Sequence, residues 1–333
     1  MKFGPLPVWQ ALGGVLAHSI PLSSGRLRKG RVLTSDDLAK LSADGRQDVT
    51  VAMLAPDDLD ENTAALALAQ ALVPDPKDQG LRLGDAATGR VNIYATGAGV
   101  LDICLDKINA LNSVDPAITV ATLPDFQRVT EGMLVATVKI IAFAIAQRDL
   151  SKAAALAQKG LRIHKPCLHR VALIETSVGD PVSDKGARVT RDRLLRLNAD
   201  LTETVRCAHD VLPLADELTA AKPKADLILI LTASATSDPM DTAPQAVREA
   251  GGTVRHVGMP VDPGNLLFLG DLHGVPVIGL PGCARSPALN GADWVLERVI
   301  CGLPVKPADI AAMGVGGLLK EIPSRPQPRD ITP

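Results

Sequence analysis

The segment ADLILILTASATSDPMD, residues 225–241, decides the fold of this chain. Its first part, Leu227–Leu231, is an uninterrupted aliphatic run, which is typical of a parallel strand that is covered on both faces. Small residues that follow the strand allow backbone N–H groups to approach a ligand. The hydroxyl residues after the strand are Ser234, Thr236 and Ser237. Because ligands of open α/β sheets bind at the carboxyl ends of strands, the segment predicts a buried strand followed by a binding loop.

A second strand of the same kind ends in a loop with related chemistry. Val275–Pro287 reads VPVIGLPGCARSP, in which the aliphatic strand breaks at Pro281-Gly282 and is followed by Arg285 and Ser286. The planar guanidinium of Arg285 suits a phosphate group, although a surface salt bridge is the commoner use of an arginine. Two strand-end loops of this kind predict one crevice for an anionic ligand.

From Arg170 onward, the predicted strands and helices alternate, which indicates a mostly parallel sheet. The predicted strands are Val171–Thr176, Leu201–Cys207, Leu227–Leu231, Val254–Met259 and Val275–Leu280, and Leu266–Leu269 adds a strand at one edge. The predicted helices lie near Val189–Leu197, Leu212–Ala221, Pro244–Ala250 and Ala292–Cys301. We therefore expect a three-layer α/β domain over residues 169–310.

The first 168 residues predict smaller domains. We expect an α+β segment over 1–75, a β-rich domain over 76–148, and a helix with a linker over 149–168. Predicted helices include Val8–Leu16, one capped by Ser35, and Asp57–Leu72; Pro74–Gln79 is expected to be a polar linker, and Leu134–Phe143 one strand. The Pro-rich tail, 318–333, is expected to be disordered and could lead to a further domain.

Composition excludes several classes of function. The chain has 333 residues, 2% aromatic residues and a net charge of -2, which provides neither a base-stacking surface nor a field that attracts polyanions, so nucleic acid is not an expected partner. Five cysteines without a C-x-x-C spacing are typical of a reducing cytoplasm. The most apolar window, Met133–Ala146, is too short to span a membrane and contains Lys139. We therefore expect a soluble, cytoplasmic protein.

The two loops resemble the molybdopterin-binding domain of molybdopterin adenylyltransferases and molybdopterin molybdenumtransferases. The family's Thr-Gly-Gly-Thr/Val-Gly/Ser loop is similar to 232–236, TASAT, and its following acid to Asp241. The family's Leu-Pro-Gly-x-Pro-x-Ser loop is similar to 280–286, LPGCARS. The resemblance covers about Arg170 to Leu303 and includes 184–186, DKG, and Asp210.

The resemblance implies a set of site residues. The implied ligand-binding residues are Thr232, Ser234, Thr236, Ser237, Pro281, Gly282, Arg285 and Ser286. It implies catalytic roles for Asp241 and Asp210, with Asp241 as a ligand of Mg²⁺, which commonly combines one or two carboxylates with phosphate oxygens. As an alternative, both acids are N-caps of the helices that follow them, and the hydroxyls satisfy their own loops. Asp238 is a competing candidate for the acid.

The implied function is molybdenum cofactor biosynthesis through binding of molybdopterin or adenylylated molybdopterin, with a homodimer as the assembly. The implied reaction is either molybdate insertion, which the additional N-terminal segments favour, or adenylyl transfer to the molybdopterin phosphate. Two departures from the family favour a non-catalytic alternative. The paired glycines are replaced by Ala233-Ser234, and the turn at 262–265, DPGN, lacks the family's lysines. The alternative is a carrier or specificity module for a downstream nucleotidyltransferase or molybdoenzyme. A third possibility, an unrelated nucleotide-binding α/β protein, has no support from a Walker loop or a G-x-G-x-x-G motif.

Overall fold

The computed structural model describes residues 1–179 and 183–319 of the chain. The described residues form two compact units. Met1–Gly97 and Leu101–Ile163 make the first unit, and Ala98–Val100 joins the chain from His164 onward in the second. The first unit thus combines residues of all three expected N-terminal segments, 1–75, 76–148 and 149–168. Residues 320–333, nearly all of the predicted Pro-rich tail, lie outside the described part.

Short strands and five α-helices make up most of the described chain as far as His164. The strands are β1 (Lys2–Pro7), β2 (Val15–Leu16), β3 (Ile20–Leu22), β4 (Gly25–Leu27), β5 (Asp48–Met53), β6 (Asp58–Asp60), β7 (Leu81–Leu83), β8 (Arg90–Ala95), β9 (Gly99–Ile103), β10 (Ile118–Thr122), β11 (Arg128–Val129), β12 (Leu134–Ile140), β13 (Ala144–Ala146) and β14 (Leu161–His164). The helices are α1 (Ser35–Ala43), α2 (Glu61–Leu72), α3 (Pro76–Gln79), α4 (Leu105–Asn112) and α5 (Gln147–Ala157). The sheets have the orders β1-β5-β2, β3-β4, β13-β6, β10-β12-β8-β7 and β11-β9-β14.

The predicted helix over Val8–Leu16 is wrong. Only a 3-10 turn forms at Val8–Gln10, because Gly13 adopts a left-handed φ of 76° and reverses the chain into β2. The predicted cap of α1 is also shifted by one residue. Thr34 is the N-cap, and its hydroxyl accepts a hydrogen bond from the Asp37 N–H while the Asp37 carboxylate accepts one from the Thr34 N–H.

Three further boundaries differ from the predictions for local reasons. Helix α2 begins at Glu61 because the preceding residues, Asp58–Asp60, pair with β13 and Asp60 caps the helix. The predicted linker contains α3, which ends at the buried Gln79; the Gln79 amide donates to the carbonyl of Leu72 at 3.0 Å. The strand predicted over Leu134–Phe143 ends at Ile140 as β12, and the next strand, β13, begins only at Ala144.

The second unit is built on a six-stranded sheet of order β16-β15-β17-β20-β19-β18. Its strands are β15 (Arg170–Ser177), β16 (Asp200–Ala208), β17 (Leu227–Leu231), β18 (Thr253–Met259), β19 (Asn265–Leu272) and β20 (Val275–Leu280). Its helices are α6 (Lys185–Leu195), α7 (Val211–Ala221), α8 (Thr242–Glu249), α9 (Gly291–Ile300) and α10 (Pro307–Ala312). Strands β16, β15, β17 and β20 pair in parallel, and β19 pairs antiparallel with both β20 and β18. The predicted mixed α/β fold with a mostly parallel sheet is confirmed.

The position predicted for Leu266–Leu269 at an edge of the sheet is wrong. These residues belong to β19, which lies between β20 and β18. Strand β19 turns directly into β20 through His273 and Gly274, which have φ values of 50° and 91°. Two consecutive positive φ angles are typical of a two-residue hairpin turn, so the two strands are forced to be neighbours.

Strand β17 lies in the middle of the sheet, and every residue of Leu227–Leu231 is buried. Ile228 and Ile230 belong to a core cluster with Leu214 of α7 and Val247 of α8. This burial explains the continuous aliphatic run, because neither face of the strand meets water. The three-layer arrangement of the domain remains a prediction.

An aromatic ring fills the space above a glycine where β19 pairs with β20. Phe268 is fully buried and lies opposite Gly279. A β-carbon at position 279 would come within 2.0 Å of the Phe268 ring, so this position has no room for a side chain.

We expect Gly279→Ala to lower the free energy of unfolding of the second unit by about 1–3 kcal/mol, because it overpacks a filled core. Phe268→Leu should restore part of the loss in the double variant. Urea unfolding followed by the fluorescence of Trp294, in a Trp9→Phe background, measures both. Gly282→Ala is the control, because a β-carbon there has nothing within 4 Å. Equal losses for the two glycine variants would contradict the packing argument.

A carboxylate ties together the amino ends of β15 and β17. Asp226 accepts hydrogen bonds from the Arg170 side chain at 2.7 Å and 3.1 Å, and from the N–H groups of Arg170 and His169. These bonds, led by that of the Arg170 side chain, lower the pKa of Asp226 to about 2 from its ordinary 3.8. The carboxylate therefore stabilises the fold above about pH 4, and this contribution is lost as the pH falls through about 2.

Asp226→Asn is expected to lower the free energy of unfolding by about 1–2 kcal/mol at pH 7, and the difference from wild type should shrink between pH 4 and pH 2. Urea unfolding at several pH values tests this expectation. Asp192→Asn, at an exposed position of α6, makes the same change of charge without removing these hydrogen bonds. A difference for Asp226→Asn that stays constant down to pH 2 would refute the linkage.

Candidate functional site

The two predicted binding loops leave neighbouring strands at the same level. Leu231, the last residue of β17, pairs with Leu280, the last residue of β20. Parallel strands end at the same edge of a sheet, so the loops that begin at Thr232 and Pro281 start side by side. A direct hydrogen bond joins them, because Arg285 Nη2 donates to the Thr232 carbonyl at 3.0 Å. The structure therefore brings the two sequence motifs together.

The first loop, residues 232–237, presents only part of its predicted chemistry to solvent. Ser234 and Ser237 are exposed, whereas Thr232 and Thr236 are only 7% and 6% exposed. The Ala233 N–H donates to the Thr176 hydroxyl at 2.9 Å, which fastens the loop to the end of β15. No residue of this described loop has a positive φ. The alanine and serine that replace the family's glycines are thus accommodated without backbone strain.

Asp241 is the N-cap of α8 and also closes the first loop. Its Oδ1 accepts the Thr242 N–H at 2.7 Å, and its Oδ2 accepts the Ser237 N–H at 3.0 Å. Asp238, the competing acid, accepts the Met240 N–H at 2.7 Å. The helix-cap alternative therefore describes what Asp241 does in the protein itself. Asp241 offers one carboxylate at most to a Mg²⁺ ion, which would take its other ligands from phosphate oxygens and water.

Asp210 is the N-cap of α7, and its Oδ1 accepts the Val211 N–H at 2.6 Å. It is exposed and follows β16 at the carboxyl edge of the sheet. Strand β15 separates β16 from β17, which places the end of β16 about 10 Å from that of β17 at the usual strand spacing. Within the described residues, no group of three or more His, Cys, Asp or Glu side chains could hold a metal ion. The catalytic and magnesium roles of the two acids stay predictions.

The second loop is short and turns tightly after β20. Gly282–Arg285 forms a 3-10 turn in which the Ala284 N–H donates to the Pro281 carbonyl at 2.9 Å. Pro281 is buried, whereas Gly282 and Ser286 are exposed. Arg285 is half-buried, and one of its nitrogens already binds Thr232. The rest of its guanidinium remains for a ligand.

A buried arginine that the sequence did not reveal holds the second loop. Arg193 of α6 forms an ion pair with Asp293 of α9. Its Nη1 donates to the Ala284 carbonyl at 2.7 Å, and its Nη2 donates to the carbonyls of Ser286 and Ala288 at 2.7 Å and 3.3 Å. Four acceptors around one buried guanidinium fix the path of the loop backbone. Arg193 is a positioning residue for this site.

The start of α6 packs closely onto the strand ends. A β-carbon at Gly186 would lie 2.7 Å from Glu175 Oε1, 3.0 Å from Leu231 and 3.8 Å from the Arg285 side chain. Gly186 of the 184–186 motif therefore allows the start of α6 to lie close to the strand ends; it is not needed to form a turn. Glu175 is fully buried, and its Oε1 has no hydrogen-bond partner within the described residues.

The chain is only weakly similar to known proteins. A family model described as a domain of unknown function, DUF8806, matches residues 5–53. No curated protein matches the chain. Among solved structures, the molybdopterin biosynthesis MoeA protein of Pyrococcus horikoshii is 13% identical with a TM-score of 0.31, covering 90% of this chain and 75% of its own.

Two smaller proteins are similar to part of this chain. The molybdopterin biosynthesis enzyme MoaB of Thermus thermophilus is 18% identical with a TM-score of 0.30, covering 41% of this chain and 99% of its own. The Mog protein of Mycobacterium ulcerans is 16% identical with a TM-score of 0.29, covering 39% and 92%. These similarities are too low to assign the chain to a family. The described part contains no helix long and apolar enough to cross a membrane.

Arg193→Met is expected to lower the free energy of unfolding by about 3–5 kcal/mol, because it leaves the Asp293 carboxylate buried without its cation. Lys224→Met removes an ammonium that pairs with Glu203 at 3.0 Å on the surface and should cost at most about 1 kcal/mol. Urea unfolding of the two variants measures the difference. Equal costs would show that the Arg193 contacts do not hold the loop.

Proposed function

We propose that this chain binds molybdopterin, or its adenylylated form, at the edge formed by the loops 232–237 and 281–286, and acts in molybdenum cofactor biosynthesis. The observation that carries the proposal is the adjacency of the two loops, joined by the bond from Arg285 to the Thr232 carbonyl. The resemblance of both loops to the molybdopterin-binding domain supports the ligand. Neither loop alone would be a specific signal, but the two motifs together at one edge are.

The chemistry of this edge suits a phosphate group attached to a larger polar ligand. Arg285 supplies a charged, planar donor that is partly held in place, which reduces the entropy lost when it binds an oxyanion. The exposed hydroxyls of Ser234 and Ser237 supply neutral donors beside it. Thr232 and Thr236 are buried and support the loop, so we assign direct contacts to the two serines and to Arg285.

A carrier or specificity module without its own reaction is the second candidate. Both oxygens of Asp241 already accept backbone N–H groups, and Asp210 caps a helix two strands away. These contacts favour a structural role for each acid. If molybdate insertion does take place here, Asp241 would hold a Mg²⁺ ion together with phosphate oxygens of the ligand. The homodimer and the partnership with a nucleotidyltransferase belong to the same proposal.

Arg285→Gln should weaken binding of molybdopterin by about 1.5–3 kcal/mol, because it removes a charge-assisted hydrogen bond to the phosphate. Fluorescence titration of the purified chain with molybdopterin and with adenylylated molybdopterin measures the loss. Arg255→Gln is the control, since Arg255 pairs with Asp271 near the opposite end of β19 from the loops. The proposal fails if wild type binds neither ligand, or if the two variants lose affinity equally.

The same titrations separate a carrier from an enzyme. Asp241→Asn keeps one oxygen for the helix cap but loses the acceptor of the Ser237 N–H, so it should weaken binding by no more than about 1 kcal/mol. Incubation with molybdate and Mg²⁺ then tests turnover, which this substitution should abolish if the carboxylate acts only in the reaction. Binding by wild type without any turnover would establish the carrier and exclude the enzyme.

A further inference from the structure

A charged cavity lies beside the edge strand β16, near the start of α6. It has a volume of about 350 Å³ and lies between α6 and the edge strand β16. Its lining residues are Asp184, Ala187, Arg188, Arg191, Thr204 and Arg206. A volume of this size is at the lower end of the range for small-molecule sites.

The guanidinium groups of the cavity are not equally compensated. Arg206 donates to Asp184, and its Nε lies 3.4 Å from Oε2 of the buried Glu175. Within the described residues, by contrast, neither Arg188 nor Arg191 has an ion pair or a side-chain hydrogen bond. Two cations therefore face the cavity without a partner, beside a third whose charge is balanced.

The spacing of these residues explains why the charges converge. Arg188 and Arg191 are three positions apart on α6, so their side chains lie on the same face of the helix. That face meets β16, where Thr204 and Arg206 are two residues apart and lie on the same side of the strand. Like charges at i and i+3 repel one another, and an anion bound between them would be attracted to both.

We propose that this cavity binds a phosphate-bearing small molecule, with Arg188 and Arg191 as the main ligands of the phosphate and Thr204 as a neutral donor. Guanidinium groups match the oxygens of a phosphate through paired N–H bonds. The two positive charges of Arg188 and Arg191 balance the two negative charges of a phosphate dianion. The cavity is too small for a folded partner, which favours a metabolite over a protein. The cavity shares no residue with the two loops, but Asp184 belongs to the 184–186 motif, and Gly186 of that motif lies close to Arg285.

The test is isothermal titration of the full chain with inorganic pyrophosphate at an ionic strength of about 0.15 M, where the Debye length is about 8 Å. Arg188→Gln and Arg191→Gln should each weaken binding about fivefold to tenfold, and the double variant should lose more. Arg196→Gln is a matched control, because it removes the same charge from an exposed position just after α6 that does not line the cavity. Its affinity should stay within about twofold of wild type, since a distant exposed charge is screened.

Three results would overturn the proposal. These are the absence of pyrophosphate binding by wild type, an unchanged affinity of the double variant, and a loss for Arg196→Gln equal to that for Arg188→Gln. The variant Arg285→Gln tests whether pyrophosphate binds at the two loops instead of in the cavity. If this variant alone loses pyrophosphate, the anion binds at the two loops, which contradicts the cavity proposal and leaves the molybdopterin proposal standing.

Discussion

Burial of β17 on both faces is the constraint from which the rest of the second unit follows. A strand without a solvent face has no place for polar side chains along Leu227–Leu231, so its chemistry is confined to the positions after the strand. The parallel pairing of Leu231 with Leu280 then brings a second set of such positions alongside the first. The sheet therefore determines where a ligand can meet hydroxyls and a guanidinium, and the helices determine how firmly those groups are held.

The sequence predicted best those elements whose bounds depend on a local hydrophobic pattern. Strands β17 and β20 have the predicted bounds, because continuous aliphatic runs bordered by polar or Pro-Gly residues leave little choice of where they begin and end. The place of β19 in the sheet depended instead on the His273-Gly274 turn. Histidine at a left-handed position is an uncommon hairpin signal, so the sequence did not show that β19 had to be a neighbour of β20.

The sequence predicted where the candidate site lies, but not which residues hold its loops in place. Arg193 is one of several arginines of α6, and the sequence does not distinguish it from Arg188 or Arg191. Only the burial of its face of the helix, together with the four acceptors around it, distinguishes a positioning residue from a surface cation. For Asp241, a cap and a metal ligand have the same sequence signature, an acid before a helix, and the observed bonds describe the cap.

The contact between Phe268 and Gly279 has a consequence for how the sheet assembles. The two-residue turn at His273-Gly274 fixes the alignment at one end of the hairpin, where Leu272 pairs with Val275. A shift of two residues would set the Phe268 ring against Val277 or Pro281, where side chains occupy the room that the ring needs. With only four phenylalanines in the chain, one of them is used where a glycine provides the matching gap. The pair thus favours, in the middle of the hairpin, the same alignment of β19 with β20 that the turn sets at its end.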